Sequence, residues 1–322
     1  LGADQVATSL IKKGCKYFFV ATTNEAIYLR KLNKRIFIFI LNGLVTKELK
    51  NIRKFNLIPV INNLAQLKKI ENYQKENNCF LNIAIHFDTG MSRLGLDQNE
   101  TENLLKNKAL LIKKSKLRLI MSHLSCADDK KSKLNKIQLN KFNFIKSHFP
   151  NCLCSLSNSA GILLGKKYHF DMVRPGISLY GGQCQIKEKI IYKNVVSIKA
   201  KLIQIREIYK GDTIGYGATF KAKSKMKIGT LGFGYADGFN RLFSNNYKIL
   251  LGDKKINLVG RVSMDLITID LTNIKTKKNI MNEEFEVIGS KFSINTIAKT
   301  INTIPYEILT NLGKRYERRY IS

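Results

Sequence analysis

Several things are missing from this sequence, and each absence excludes something. There is no tryptophan. No apolar run is long enough to cross a membrane, and the start lacks the basic-then-apolar order of a secretory signal. The six cysteines, Cys15, Cys79, Cys126, Cys152, Cys154 and Cys184, include no C-x-x-C pair; Cys152 and Cys154 stand only two apart. That spacing fits neither a zinc hairpin nor a redox pair, and no metal-ligand cluster is visible. The cysteines read as small hydrophobes of a reducing compartment. No G-x-G-x-x-G fingerprint follows a first strand, and there is no internal repeat or low-complexity linker. Acidic residues are scarce, 24 against 55 lysines and arginines, for a net charge of +31. Such a charge suggests nucleic-acid or membrane-surface binding. However, the lysines are scattered rather than gathered in an arm, and no aromatic-interleaved basic motif appears. Abundant Lys, Asn and Ile with no Trp is the mixture an AT-rich genome produces. Compositional bias is the preferred reading, with no specific nucleic-acid or membrane partner. What remains is a soluble cytoplasmic protein with 44% hydrophobic residues and, at 322 residues, room for two domains.

The chain opens LGADQVATSL. Val6, Ala7, Leu10 and Ile11 fall on one helical face and Gly14 is placed to end the helix. Short β-rich apolar runs then recur: KYFFVA (16–21), IFIFIL (36–41), LIPVI (57–61), LNIAIHF (81–87), LRLIMSHL (117–124), LCSLSN (153–158) and the stretch before Arg174. Amphipathic or charged segments separate them. Strands alternating with helices imply parallel β/α units. Seven strands behind an initial helix fit a TIM-like (β/α)8 barrel lacking its first strand, over residues 1–190. Polar residues follow the strands: Asp88 and Arg93 after the fourth, His123 at the end of the fifth, Asn158 and Ser159 after the sixth, Arg174 after the seventh. These are the catalytic-face positions of a barrel. Beyond residue 190 the texture changes. VVSIKAKLIQIREI, KMKIGTLGFGY, YKILLG, KINLVGRVSMDLITIDLT and EEFEVIG read as strands joined by tight turns. A helix follows, N-capped by Ser293, with Ile294, Ile297, Ala298 and Ile301 on one face. Residues 191–322 are thus expected to form a mainly β domain.

Singly, the polar motifs are ambiguous. In MVRPGISLYGG (172–182), free backbone N–H groups beyond Arg174 can hold a phosphate, with Gly176 permitting close approach; an ordinary βα turn reads equally well. In DTGMSRLG (88–95), Arg93 can clamp a carboxylate or phenolate, or pair with Asp88 within the loop. His123 in MSHLSCAD is a general base or a satisfied structural histidine. Tyr216 in GDTIGYGATF can transfer a proton if a cation lowers its pKa, or simply cover a barrel mouth.

Together these motifs are specific. In this order and spacing, DTGMSRLG, MSHLSCAD, SNSAG, MVRPGISLYGG, G-Y-G-x-T-F, GYADGF, G-R-V-S-M-D and PYEIL resemble alanine racemase. The resemblance runs from Leu1 to Ser322. That family is a two-domain isomerase using pyridoxal 5'-phosphate on a β/α barrel. The resemblance implies interconversion of L- and D-alanine by two bases, supplying D-alanine for peptidoglycan. It also implies a homodimer in which the β domain of one subunit closes the barrel site of the other. By this resemblance Arg174 meets the pyridine nitrogen, and Ser159, Gly176, Ile177 and Tyr306 bind the phosphate. His123 links Arg174 to Tyr216, the base toward L-alanine. Arg93, Met264 and Asp265 contact substrate, while Tyr235 and Arg241 line its access channel. The family's second base is the Schiff-base lysine at the end of the first barrel strand, in a segment just ahead of LGADQVA. The expectation is that this strand and lysine precede Leu1, and that the 322 residues alone are inactive. None of the lysines present, Lys12 and Lys13 included, takes that role. One departure stands out: where many members have a carbamylated lysine orienting the arginine, this chain has His86. The resemblance leaves as alternatives a non-catalytic carrier of the cofactor, against which Tyr216 and Met264 weigh, a racemase for another small amino acid, against which the tight site implied by Tyr306 and Met264 weighs, and a decarboxylase of the same fold class, which would lack this Tyr-Gly turn.

Overall fold

The computed structural model describes residues 1–107, 115–185, 192–275 and 279–321. Two compact units emerge: Gly2–Gly176 with Cys184 and Gln185, and Ile177–Gln183 with the described residues from 192 onward. The expected boundary at 190/191 lies outside the described residues.

In the first unit the apolar runs become strands β1 (Tyr17–Val20), β2 (Phe37–Ile40), β3 (Ile58–Ile61), β4 (Asn82–His86), β5 (Lys116–Met121) and β6 (Leu153–Ser155). They pair in that order, each parallel to the next. Parallel neighbours require crossovers. Helices α1 (Ala3–Lys12), α2 (Thr23–Leu32), α3 (Leu49–Lys54), α4 (Leu64–Glu76), α5 (Gln98–Lys106) and α6 (Lys133–Ser147) lie before and between the strands, and the short α7 (Ser159–Ile162) follows β6. Their starts are written in the sequence. Thr22 and Glu25 form a capping box on α2, while Asn63 and Asp97 accept from the Gln66 and Glu100 amides. Each such cap stabilises by about 1 kcal/mol. This is the parallel winding of a TIM-like barrel.

Phe39, Ile58, Val60, Ala84, Leu119 and Met121 form one buried cluster, with Tyr17, Phe19, Leu41 and Met172 packed against it. The alternate positions Ile38, Ile40, Ile61, Ile83, Ile85 and Ile120 are buried as well. Burial on both faces is why these strands read as continuous apolar runs. The expected seventh strand does not form. Before Arg174 only a single parallel bridge, Asn158 to Arg174, remains. The amides of Asp171 and Met172 both donate to the Cys154 carbonyl, and Ser155 Oγ donates to the Met172 carbonyl. Pro175 then brings no N–H. The ladder is replaced by local bonds.

The second unit is antiparallel. Strands β7 (Ile198–Ile208), β8 (Thr213–Ile214), β9 (Phe220–Lys221), β10 (Met226–Leu231), β11 (Lys248–Leu251), β12 (Lys254–Asn257), β13 (Ile267–Asp270) and β14 (Glu284–Ile288) follow one another. Six make one sheet, ordered β12-β11-β14-β7-β10-β13, while β8 and β9 form a separate hairpin. The run KINLVGRVSMDLITIDLT is not one strand. It doubles back at Gly260 (φ 82°), and Val259 N donates to Thr268 O. The expected helix is α8 (Ile294–Thr300), and Ser293 Oγ accepts from Thr296 N at 3.3 Å. A further helix, α9 (Pro305–Thr310), opens with proline in its first turn, where the missing N–H costs nothing.

Candidate active site

The barrel unit gathers its polar residues where strands β3 to β6 end. Arg174 is the hub. Its guanidinium donates to Ser155 Oγ, to Ser122 O at 2.5 Å and to Leu156 O at 3.3 Å, and lies 3.4 Å from His123 Nδ1. It also stands 5.8 Å over the ring of Phe19. Among the described residues no carboxylate lies within ion-pair distance of it, and its Nε has no partner. Burial pushes the guanidinium down to about 9, still above neutral pH, so it remains a cation. A partly buried cation without an anion is costly. Such a group suits a ligand that brings a hydrogen-bond acceptor and negative charge.

Two histidines share this cationic field, and both are neutral. Burial, then the charges of Arg174 and Arg93 and the neighbouring His86, push His123 down to about 3. Asn158 fixes its ring. The Asn158 Oδ1 accepts from Gly161 N at 2.9 Å as the cap of α7, so its Nδ2 is the atom that donates to His123 Nε2 at 3.2 Å. His86, buried at the end of β4, is pushed down to about 4 by burial and by Arg174 and Arg93, against the opposing pull of Asp88. Its tautomer follows from Asn62. The Asn62 Nδ2 donates to Leu41 O and Val60 O, leaving Oδ1 to face His86 Nδ1 at 2.9 Å. His86 Nδ1 therefore carries the proton and Nε2 the lone pair.

Asp88 serves the turn. Its carboxylate accepts from the amides of Gly90, Met91 and Ser92 at 2.9 to 3.1 Å. Burial pushes the carboxyl up, but these three amides outweigh it and hold the group below its ordinary value. The loop pair with Arg93 does not form: Arg93 is exposed and, among the described residues, without a hydrogen bond or ion pair. Ser159 is buried, and its Oγ accepts from Gly176 N at 2.8 Å. A Cβ on Gly176 would meet nothing nearer than that oxygen at 4.0 Å, so the backbone there is open to close approach.

The β unit brings together the remaining residues. Tyr216, 72% exposed, sits at the tip of the β8–β9 hairpin. Tyr235 N and Ala236 N donate to Ser263 O and Met264 O at 3.0 and 2.9 Å, joining the Tyr235 turn to Met264 and Asp265. Arg315 secures both sides, with NH1 2.7 Å from Asp265 Oδ1 and Nε 3.4 Å from Asp237 Oδ1. Arg241 O accepts from Ser244 Oγ, which in turn accepts from Val262 N. Ile177 is buried at the start of a 3-10 turn, and Tyr306 is 45% exposed on α9.

Sequence reasoning missed Asn62, Ser122, Ser155 and Gln138. The first two each directly follow a strand's last residue, the signal that had singled out the others. Gln138 had no signal. It lies fully buried on α6, donates to Thr89 Oγ1 and His123 O and accepts from Ser125 N, so it fixes the His123 loop.

This arrangement has relatives. The family model described as alanine racemase, N-terminal domain, matches residues 1–184, and that for the C-terminal domain matches residues 195–320. The alanine racemase of Rickettsia bellii is 43% identical over 322 residues, covering 99% of this chain and 78% of its own. That of Rickettsia rickettsii is 42% identical, covering 100% and 89%. A solved structure from Bartonella henselae, an alanine racemase with covalently bound pyridoxal phosphate, superposes with a TM-score of 0.94 at 36% identity, covering 100% of this chain and 89% of that one. The chain belongs to the alanine racemase family.

Proposed function

We propose that this protein interconverts L- and D-alanine with pyridoxal 5'-phosphate as cofactor, in the cytoplasm, supplying D-alanine for peptidoglycan. The observation that carries the reading is Arg174, a charged guanidinium with no carboxylate partner among the described residues and an unengaged Nε. The residues present fit the cofactor. Nε–H suits the ring nitrogen as acceptor, and Ser159 with the open backbone at Gly176 suits the phosphate. When bound, the cofactor supplies an electron sink for the α-carbon. Because a guanidinium keeps its protons at neutral pH, Arg174 donates a hydrogen bond without protonating the ring nitrogen. The sink is weakened, which favours return of a proton to the α-carbon over transamination.

Tyr216 Oη moves the α-proton of L-alanine, Arg93 holds the substrate carboxylate, and Met264 and Asp265 bound the substrate space. His123 connects Tyr216 to Arg174, and Tyr235 and Arg241 line the access channel. The β unit exposes Tyr216, Tyr235, Leu242 and Met264 by 72, 43, 64 and 53%. Four large apolar groups so exposed need cover. In this reading a second copy of the chain supplies it, so the working enzyme is a homodimer with a shared site. A carrier of the cofactor has no use for a base such as Tyr216.

The test is direct. The holoenzyme expressed from its gene is given L-alanine, and D-alanine is assayed enzymatically. Appearance of D-alanine up to an equal mixture supports the proposal. A cofactor-loaded protein that forms none overturns it.

A further inference from the structure

The tip that carries Tyr216 is exposed on every residue from Gly215 to Thr219. A proton-transferring group on such a tip must be held still, because small misplacements of reacting groups are expensive in rate. Its own backbone gives little support. Within the tip, Ala218 N donates to Gly215 O at 3.2 Å. Glycines at 215 and 217 (φ 68° and 70°) leave the backbone on both sides of Tyr216 pliant.

Among the described residues, one side-chain hydrogen bond ties residues 215–219 to the rest of the unit. Asn245 Nδ2 donates to Thr219 Oγ1 at 3.2 Å. The other end of the same amide is fixed, since Asn245 Oδ1 accepts from Gly260 N at 2.6 Å, and Asn245 N donates back to Gly260 O at 3.2 Å. Asn245 is left-handed (φ 55°), a conformation asparagine tolerates better than most residues. Two residues to either side, Phe243 and Tyr247 are buried; Phe243 stacks on Phe239, Tyr247 meets Phe239 edge-on and Phe243 at a tilt, and Tyr247 Oη donates to Val287 O at 2.6 Å. Asn245 thus stands on a rigid aromatic base. Gly260 in turn abuts Ile214, and the Arg261 guanidinium lies against Gly217, so the same loop backs the hairpin.

We infer that Asn245 is a positioning residue for Tyr216: its amide bridges Gly260 to Thr219 and holds the tyrosine tip against the core. The inference rests on the reading of Tyr216 as the base toward L-alanine, and its test separates the two. Asn245→Gly tolerates the left-handed backbone and removes the bridging amide, whereas an aspartate would still accept from the Thr219 hydroxyl. Thr219→Val removes the acceptor, and Thr219→Ser restores it. Two readouts are taken on the holoenzyme: α-hydrogen exchange with solvent from each alanine enantiomer, and amide hydrogen exchange of residues 213–221.

In N245G and T219V, exchange from L-alanine falls about tenfold while that from D-alanine changes far less, the scale of a lost hydrogen bond. Amides of 213–221 exchange faster, T219S behaves as the parent, and the double variant N245G/T219V is no worse than N245G alone. Unchanged amide exchange at 213–221, or equal losses from both enantiomers, overturns the inference. Tyr216→Phe is run alongside. If it shows no preference for L-alanine, the base reading fails, and amide exchange alone decides whether Asn245 holds the tip. Should N245G fail to fold, T219V and T219S decide.

Discussion

His86 and Arg93 illustrate how much one residue's neighbours decide its weight. His86 has its proton committed to Asn62, is neutral, and among the described residues has no hydrogen bond at Nε2. An asparagine there still reaches Asn62 with its own amide. His86→Asn is therefore predicted to change the steady-state rate by only about threefold, the scale of one weakened hydrogen bond. Arg93→Ala removes the group proposed for the substrate carboxylate, and a charge-assisted contact of about 1.5–3 kcal/mol corresponds to roughly tenfold to hundredfold in kcat/KM. Losses of equal size in the two variants would show that His86 does more than support the strand end. Arg174→Lys keeps a charge but cannot serve Ser155, Ser122 and a ligand at once, so cofactor affinity measured by absorbance titration is predicted to fall at least about tenfold. At this scale the sequence was readable where a candidate residue sits inside its own motif, as Arg174 does before Pro175 and Gly176. It was silent where the partner is remote: Asn62 meets His86 across 24 residues, and Gln138 meets Thr89 across 49.

At the scale of elements, turns carry the site and their geometry is tight. Gly234 has an ordinary extended φ, so its constraint is space and not strain. A Cβ there would stand 2.3 Å from Met264 O and 2.5 Å from Ser263 O. Gly234→Ala must therefore part the Tyr235 turn from the Met264 loop. The expected result is a loss of about 1–3 kcal/mol in denaturant melts, typical of overpacking, with a raised KM for alanine. The barrel strands and first helices were legible because apolar runs and caps are local signals. The stretch before Arg174 was misread because its backbone bonds go to Cys154 O and Ser155 Oγ, which periodicity cannot reveal. The run from Lys255 to Thr272 concealed a reversal because the positive φ at Gly260, which turns the chain, leaves no trace in the apolar pattern.

For the whole molecule, the two depressed histidines set a pH dependence. Each binds its proton more weakly folded than unfolded, so between about 6.5 and about 4 for His86, and down to about 3 for His123, the unfolded chain holds more protons. Stability is fully present above pH 6.5 and is lost as pH falls through that window. Thermal melts are predicted to drop steadily below pH 6.5, and H86N to flatten part of that slope; a melting temperature constant from pH 7 to 4.5 would contradict the neutral assignment. The net charge of +31 enters neither the site nor the fold argument beyond Arg174 and Arg93. The proposed role of Tyr216, moving the α-proton of L-alanine only, is decided by α-deuterium exchange from L- and from D-alanine in the Tyr216→Phe holoenzyme. Exchange from L-alanine is expected to be abolished while exchange from D-alanine persists; equal loss from both enantiomers would rule that role out.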